Sequence, residues 1–351
     1  VIERIAHIHN KLGELNLDAL LITNEHNIRY LTRFKGEDSY LLVDKRKAFF
    51  ITDFRNYEEA RQALKGIEVV KICESFFMTV PELVRQNNLK SLGFEAKNLD
   101  FATHARLESN LKRFCRLTPT FDLIEDFRQQ KDQQEIKLIK KAIGITEEGF
   151  RFAKRIIRPG LTENELISRL EAFVVDRGAQ KFSFAPIAAS NKRSSFPHAT
   201  STDRKIGSNT ALTLDMGVTY KGYKSDLTRV FFLGRIPDAL REIYEIVLDA
   251  QAKAIAIIKA GISAAQVDRQ ARVLIAKKGF GRFFQHSTGH GIGLEVHEKP
   301  YISKKNDSPL ISGMVFTVEP AIYIPDKFGV RIEDIVLVKE NGCEVLSAAV
   351  N

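Results

Sequence analysis

ALTLDMGVTYKGYKSDLTRVFFL, residues 211–233, reads as two strands joined by a turn at Lys221-Gly222, with apolar and β-branched residues alternating on either side. Strand side chains point to opposite faces in turn, so Ala211, Thr213, Asp215 and Gly217 share one face and Leu212, Leu214 and Met216 the other. On the return strand Asp226, Thr228 and Val230 lie together. A carboxylate in the middle of each strand, among apolar neighbours, is costly to bury unless a cation meets it.

Working outward, the chain repeats itself. IIRPGLTENEL at Ile156–Leu166 matches IIKAGISAAQV at Ile257–Val267 without a gap, and the same offset pairs Gly178 with Gly279 and Phe182 with Phe283. Each half reads as helix, glycine stop, capped second helix, glycine stop. Thr162 with Glu165 and Ser263 with Gln266 have capping-box spacing, in which hydroxyl and N3 side chain each satisfy a free backbone N–H. Each helix pair leads to a strand pair. The second runs Met314–Tyr323 and Gly329–Val338, with Thr317 and Glu319 on one face, as Thr213 and Asp215 are, and Arg331 with Glu333 on the return strand.

If the halves pack about a pseudo-twofold axis, Asp215, Asp226, Glu319 and Glu333 converge. Four buried carboxylates repel one another and would take up protons, and two divalent cations remove that conflict. The imidazole best placed to complete such a site is His290, in STGHGIGLEVHE at Ser287–Glu298, where glycines let backbone come close. These glycines do not spell GxGxxG, which discounts a dinucleotide loop, and His297 is too far from His290 for an HExxH helix pair.

The 351 residues fit two domains, and 44% hydrophobic with 28% charged residues is ordinary globular composition. Residues 1–120 read as an α/β domain with strands at Ala19–Thr23, Tyr40–Asp44, Ala48–Thr52 and Ser91–Glu95 and a helix at Asn56–Leu64; they hold no ligand-spaced His, Cys or carboxylate set. Residues 121–131 read as a linker and 132–351 as the domain of the duplication, giving an α+β protein overall. Val1–Ile8 reads as an amphipathic helix, not a signal peptide, and the chain starts at Val1 rather than at an initiator Met, as a trimmed chain would. No apolar run approaches the roughly 20 residues that span a bilayer. Cys73, Cys115 and Cys343 lack CxxC spacing, so neither a disulfide framework nor a zinc cluster is expected and a cytoplasmic location is the default. The net charge of +9 is dispersed, without a basic run or nucleic-acid motif, and reads as a solvated surface rather than a nucleic-acid footprint.

From about residue 132 to the end, the chain resembles the dinuclear metallopeptidases of the pita-bread fold: Xaa-Pro dipeptidases (prolidases), Xaa-Pro aminopeptidases and methionine aminopeptidases. The family's five metal ligands fall on Asp215, Asp226, His290, Glu319 and Glu333. Residues 1–120 resemble the family's N-terminal domain at NIRYLT (Asn27–Thr32) and TDFRNY (Thr52–Tyr57), which favours the Xaa-Pro enzymes. The resemblance implies two divalent metals (Mn, Co, Zn or Fe) about 3.5–4 Å apart that bridge and acidify a water. It makes Asp226 and Glu333 the bridging ligands, gives Asp215 to one metal and His290 with Glu319 to the other, and makes Glu319 the proton carrier. His198, in Ser195–Ala199, would contact substrate, His297 would stabilise the oxyanion, and Arg331 would hold a metal carboxylate in place. Short proline-containing peptides are the implied substrates and a homodimer the implied assembly.

Two positions depart from the family. Ala321 replaces the usual glycine after Glu-Pro, a small change. Tyr301 stands where many prolidases carry an arginine for the dipeptide's carboxylate, and a neutral phenol does not replace a guanidinium fork. That leaves an aminopeptidase acting on longer peptides in competition with a dipeptidase, with Lys299 as a possible compensating charge. A non-catalytic peptide- or protein-binding module and a metal-free amidinohydrolase like creatinase are the alternatives; both are disfavoured by the retention of all five ligands.

Overall fold

The apolar runs of the first third assemble into one mixed sheet. The computed structural model describes residues 2–347; Val1 and residues 348–351 lie outside them. The chain divides into two compact units, Val1–Phe127 and Arg128–Asn351, so the boundary falls within the stretch read as a linker, where Leu123–Arg128 is helical.

In the first unit six strands lie in the order Glu68–Lys71, Ala48–Thr52, Tyr40–Asp44, Ala19–Ile22, Ser91–Glu95, Arg116–Thr120. Tyr40–Asp44 and Ala48–Thr52 pair antiparallel across a turn in which Asp44 accepts from the backbone N–H groups of Arg46 and Lys47. Helices Phe76–Gln86 and Phe101–Leu111 cover one face, burying Val80, Val84, Leu107 and Leu111 against Leu21, Leu42, Phe49 and Leu92. The helix of this region begins at Phe54 and ends at Ala63, capped by Asp53. Asn27 donates to Glu95 and to Glu125 and is fully buried, so its place in NIRYLT is structural.

The second unit carries the duplication in its backbone. Helices Gln133–Ile156 and Glu163–Asp176 answer Asp238–Ala256 and Ala264–Lys277, and both Thr162 and Ser263 form complete capping boxes. The stops Gly160, Gly178, Gly261 and Gly279 all have positive φ between 88° and 96°, as a left-handed C′ position requires. Even the loop bonds repeat. Gly160 N–H donates to Ile206 and Gly261 N–H to Leu310, and Glu163 N–H donates to Arg204 and Ala264 N–H to Ser308. In the second half Val247, Val267, Phe316, Val318 and Val336 are fully buried in one core.

Each expected hairpin is interrupted without losing register. In the first, Thr210–Met216 pairs with Leu227–Leu233, Val218–Tyr220 pairs with Tyr223–Lys224, and the turn residues Lys221 and Gly222 have φ of 46° and 84°. Both positive angles suit a tight hairpin turn. The break falls at Gly217 opposite Asp226, where a Cβ on Gly217 would sit 1.7 Å from the Ser225 carbonyl oxygen. In the second, Val315–Val318 pairs with Asp334–Lys339 and Ala321–Ile324 with Phe328–Arg331, and the break falls at Glu319-Pro320 opposite Glu333. Proline cannot donate to a ladder, which is why pairing stops there.

Candidate metal centre

Three of the five expected ligands, Asp226, Glu319 and Glu333, stand at the interruptions. Asp215 lies opposite Thr228 in the first hairpin, and the register of the second sets Glu319 opposite Glu333. His290 comes from Gly289–Gly291, wedged between Glu298–Ile302 and Val315–Val318. A Cβ on Gly289 would meet the Thr317 carbonyl oxygen at 1.8 Å, so glycine is what lets this strand approach. Thr317 Oγ1 accepts from the His290 N–H at 3.1 Å and donates to Glu319 Oε1 at 3.3 Å, linking the two side chains.

All five expected ligands converge. Ligand atoms of Asp215, Asp226 and Glu333 lie within 4.8 Å of one another, as do those of His290, Glu319 and Glu333, and those of Asp226, His290 and His297. The groups overlap through Asp226, Glu333 and His290. His290 Nε2 is 3.3 Å from Glu319 and 3.7 Å from Asp226. Asp215 Oδ1 is buried and has no hydrogen-bond partner among the described residues.

The electrostatics state the conflict in full. Burial, then Glu333, Asp215 and Glu319, push Asp226 well above the usual carboxylate range. Burial, then Glu319 and Asp215, do the same to Glu333. Burial also raises Glu319, against the opposing pull of His286 and Arg331. Burial lowers His290, so its imidazole is neutral and free to ligate. Four crowded carboxylates, a neutral imidazole and an orphaned carboxylate oxygen fit a pair of divalent cations, in number and in donor type.

Arg331 is the buried counter-charge. It donates to Asp215 Oδ2, to Thr228 Oγ1 at 3.0 Å, to the Tyr323 hydroxyl and to the Pro197 carbonyl at 3.3 Å. Burial alone works against its charge, but Tyr323, Asp215, Glu319 and Glu333 outweigh that and keep it protonated. Thr228 Oγ1 in turn donates a hydrogen bond to Glu333 Oε2 at 2.8 Å. Sequence reasoning missed the roles of Thr228 and Tyr323. Strand alternation carries the signal for both, since Thr228 shares a face with Asp226 and Tyr323 with Glu319.

His198 and His297 are exposed and line one cleft of about 1330 Å³ together with Asp215, Asp226, His290, Glu319 and Glu333. The Pro197–Arg331 bond ties the His198 loop to the centre. Burial, with His290 and His198 nearby, lowers His297 to about 4, so it is a neutral donor at pH 7. Its neighbour Glu298 is buried between Arg128 at 2.5 Å and Lys131 at 2.9 Å. Burial raises Glu298, but the two cations outweigh it and hold the carboxyl below its ordinary value. Tyr301 pairs directly opposite His290 and is half exposed on the cleft wall. Lys299 is not among the residues lining that cleft.

The sequence pattern of metallopeptidase family M24 matches residues 137–340, and that of the creatinase/prolidase N-terminal domain matches residues 4–130. A solved Xaa-Pro dipeptidase from Bacillus anthracis is 39% identical and superposes with a TM-score of 0.96 over 99% of this chain and 98% of that one. The X-Pro aminopeptidase of Thermotoga maritima MSB8 is 37% identical, with a TM-score of 0.89 over 96% and 97% of the two chains. The Xaa-Pro dipeptidase of Pyrococcus furiosus is 36% identical over 350 residues, covering 98% of this chain and 97% of its own.

Proposed function

The chain belongs to metallopeptidase family M24, and we propose that it is an exopeptidase that removes the residue preceding a proline at the N-terminus of short peptides. The observation that carries this reading is the convergence of Asp215, Asp226, His290, Glu319 and Glu333 in overlapping ligand groups at the floor of one cleft. A peptide-binding module or a metal-free amidinohydrolase leaves the crowded carboxylates and the orphaned Asp215 oxygen without a purpose.

In this reading two divalent cations would be held by these five residues: Asp226 and Glu333 would contribute to both sites, Asp215 would complete one, and His290 with Glu319 would complete the other. When bound, such a pair polarises the scissile carbonyl and brings the pKa of water to about 7. The chain's own residues do the rest. Glu319 receives the proton of the attacking water and returns it to the departing proline nitrogen. Neutral His297 donates to the oxygen that gains charge in the tetrahedral state, and His198 contacts the substrate beside it. Arg331 fixes the direction of the Asp215 carboxylate. A tertiary Xaa-Pro amide has no N–H to offer, so recognition falls on the groups either side of the bond.

Mn, Co, Zn and Fe all suit this mixed oxygen and nitrogen set, and the chain is proposed to work as a cytoplasmic homodimer; sedimentation velocity and metal analysis of chain isolated from cells test both. The decisive experiment is hydrolysis of Ala-Pro beside Ala-Pro-Ala after reconstitution with each metal, against a chelated control. Cleavage of Ala-Pro alone makes the chain a dipeptidase. Preferential cleavage of Ala-Pro-Ala makes it an aminopeptidase, with Tyr301 admitting the longer peptide. Failure on both with every metal overturns the proposal.

A further inference from the structure

A peptide with a free C-terminus brings a carboxylate into a cleft whose floor is already acidic, so a cation has to meet it elsewhere on the wall. Two arginines and no lysine line the cleft, Arg331 and Arg282. Arg331 is buried and engaged by Asp215, Thr228, Tyr323 and Pro197. Arg282 is exposed and makes no ion pair among the described residues; its guanidinium lies 4.7 Å from the centroid of the Phe283 ring.

The backbone beneath Arg282 is held firmly. The turn Gly281–Phe283 packs against the helix Ala264–Lys277 and the strand Ala321–Ile324, which carries Tyr323. Phe284 follows it into the core, with Arg272 over its ring at 4.3 Å. Arg272 also donates to the carbonyls of Phe284 and His286, both at 2.9 Å, while it pairs with buried Asp268 at 2.7 Å. A planar guanidinium resting on an aromatic ring above a fixed turn loses little freedom when it takes a carboxylate. Tyr301, which also lines the cleft, has no charge to offer.

We propose that Arg282 binds the C-terminal carboxylate of the substrate and makes the chain selective for short peptides with a free C-terminus. This rests on the exopeptidase reading of the cleft. Arg282 sets specificity and takes no part in proton transfer.

The test compares Ala-Pro and Ala-Pro-Ala with their C-terminal amides on the metal-loaded chain, in wild type, Arg282→Ala and Arg282→Lys. The expected result is a preference for at least one acid over its amide of about 10- to 100-fold in kcat/KM, as one charge-assisted contact gives. Arg282→Ala removes that preference through KM, leaves the amides unchanged, and Arg282→Lys restores part of it. An unchanged acid-to-amide ratio in Arg282→Ala, or equal losses on acid and amide, overturns the proposal. If the wild type hydrolyses no Xaa-Pro peptide, the exopeptidase reading fails by itself. Arg282 is then judged by calorimetric titration with Ala-Pro: weaker binding to Arg282→Ala supports it, and equal or absent binding in both chains overturns it.

Discussion

Asp215 and Glu319 occupy matching places in the two hairpins, each facing inward beside a threonine at Thr213 or Thr317, but the return strands part company. Opposite Asp215 stands Thr228, whereas opposite Glu319 stands Glu333. One inward-facing place nearer the turn, the first hairpin has Asp226 and the second has Arg331. A carboxylate in one half thus answers a guanidinium in the other, and Thr228 bridges the difference by bonding to both Glu333 and Arg331. Duplication supplied the scaffold; the chemistry depends on where the copies diverged. Doubling either half would keep four carboxylates but leave the centre with no buried guanidinium or with two, where the diverged pair has one.

The sharpest way to break this comparison is at Asp226 and Glu333, the two carboxylates proposed to serve both cations. Asp226→Asn or Glu333→Gln should lower kcat by about 1000-fold or more, the equivalent of several kcal/mol of lost metal assistance. Circular dichroism should show the fold retained, and wild-type turnover in either variant would remove the residue from the ligand set. Next comes Arg331→Met, which takes away the counterpart of Asp226. Metal affinity should fall about 10- to 100-fold, read by competition with a chelating dye. Unchanged affinity would mean that Asp215 holds its direction without the guanidinium.

A third measurement asks whether the carboxylates repel when metal is removed. Asp226, Glu333 and Glu319 have folded values raised above their unfolded ones, so the metal-free folded chain binds more protons than the unfolded chain. Their contribution is fully present below the unfolded carboxylate range and is lost as pH rises through the folded values. The gap in Tm between loaded and chelated chain should therefore widen by several degrees between about pH 5 and about pH 8. Glu298 has the opposite sign, losing stability as pH falls through its depressed value, but it acts in both forms and cancels in the gap. A gap that narrows with pH would show that the carboxylates do not share one site. The smallest effect tests the symmetric part: Thr162→Ala and Ser263→Ala should each cost about 1 kcal/mol in urea unfolding, because both complete the same capping box. A large inequality between them would show that the two scaffolds are not energetically alike.

Much of this was legible in the sequence because it rests on alternation and spacing. Asp215, Asp226, Glu319 and Glu333 were placed on inward faces by period two, and the capping boxes by the three-residue step to Glu165 and Gln266. The breaks in the hairpins were less so: Gly217 reads as an ordinary member of its run, and Glu319-Pro320 signals only a strand end, not a break that pairing resumes beyond. The carboxylate–guanidinium exchange was hidden for the same reason: register across a hairpin depends on how many residues the turn takes. In the first unit, Glu68–Lys71 and Arg116–Thr120 escaped notice as edge strands without an apolar run, one of them containing Pro119. Helix Phe76–Gln86 carries Pro81 inside it, where a sequence reading expects a stop.

Register running unbroken through both interruptions also sets which changes in length this chain can absorb. An inserted or deleted residue between Asp215 and Thr219 would turn one carboxylate toward the apolar side while its partners stayed in place. An insertion at Lys221-Gly222, or between Ile324 and Phe328, only enlarges a tip and leaves every ligand in phase. Chains built on this plan are free to vary loop length at the hairpin ends and are held to a strict reading frame of two between them.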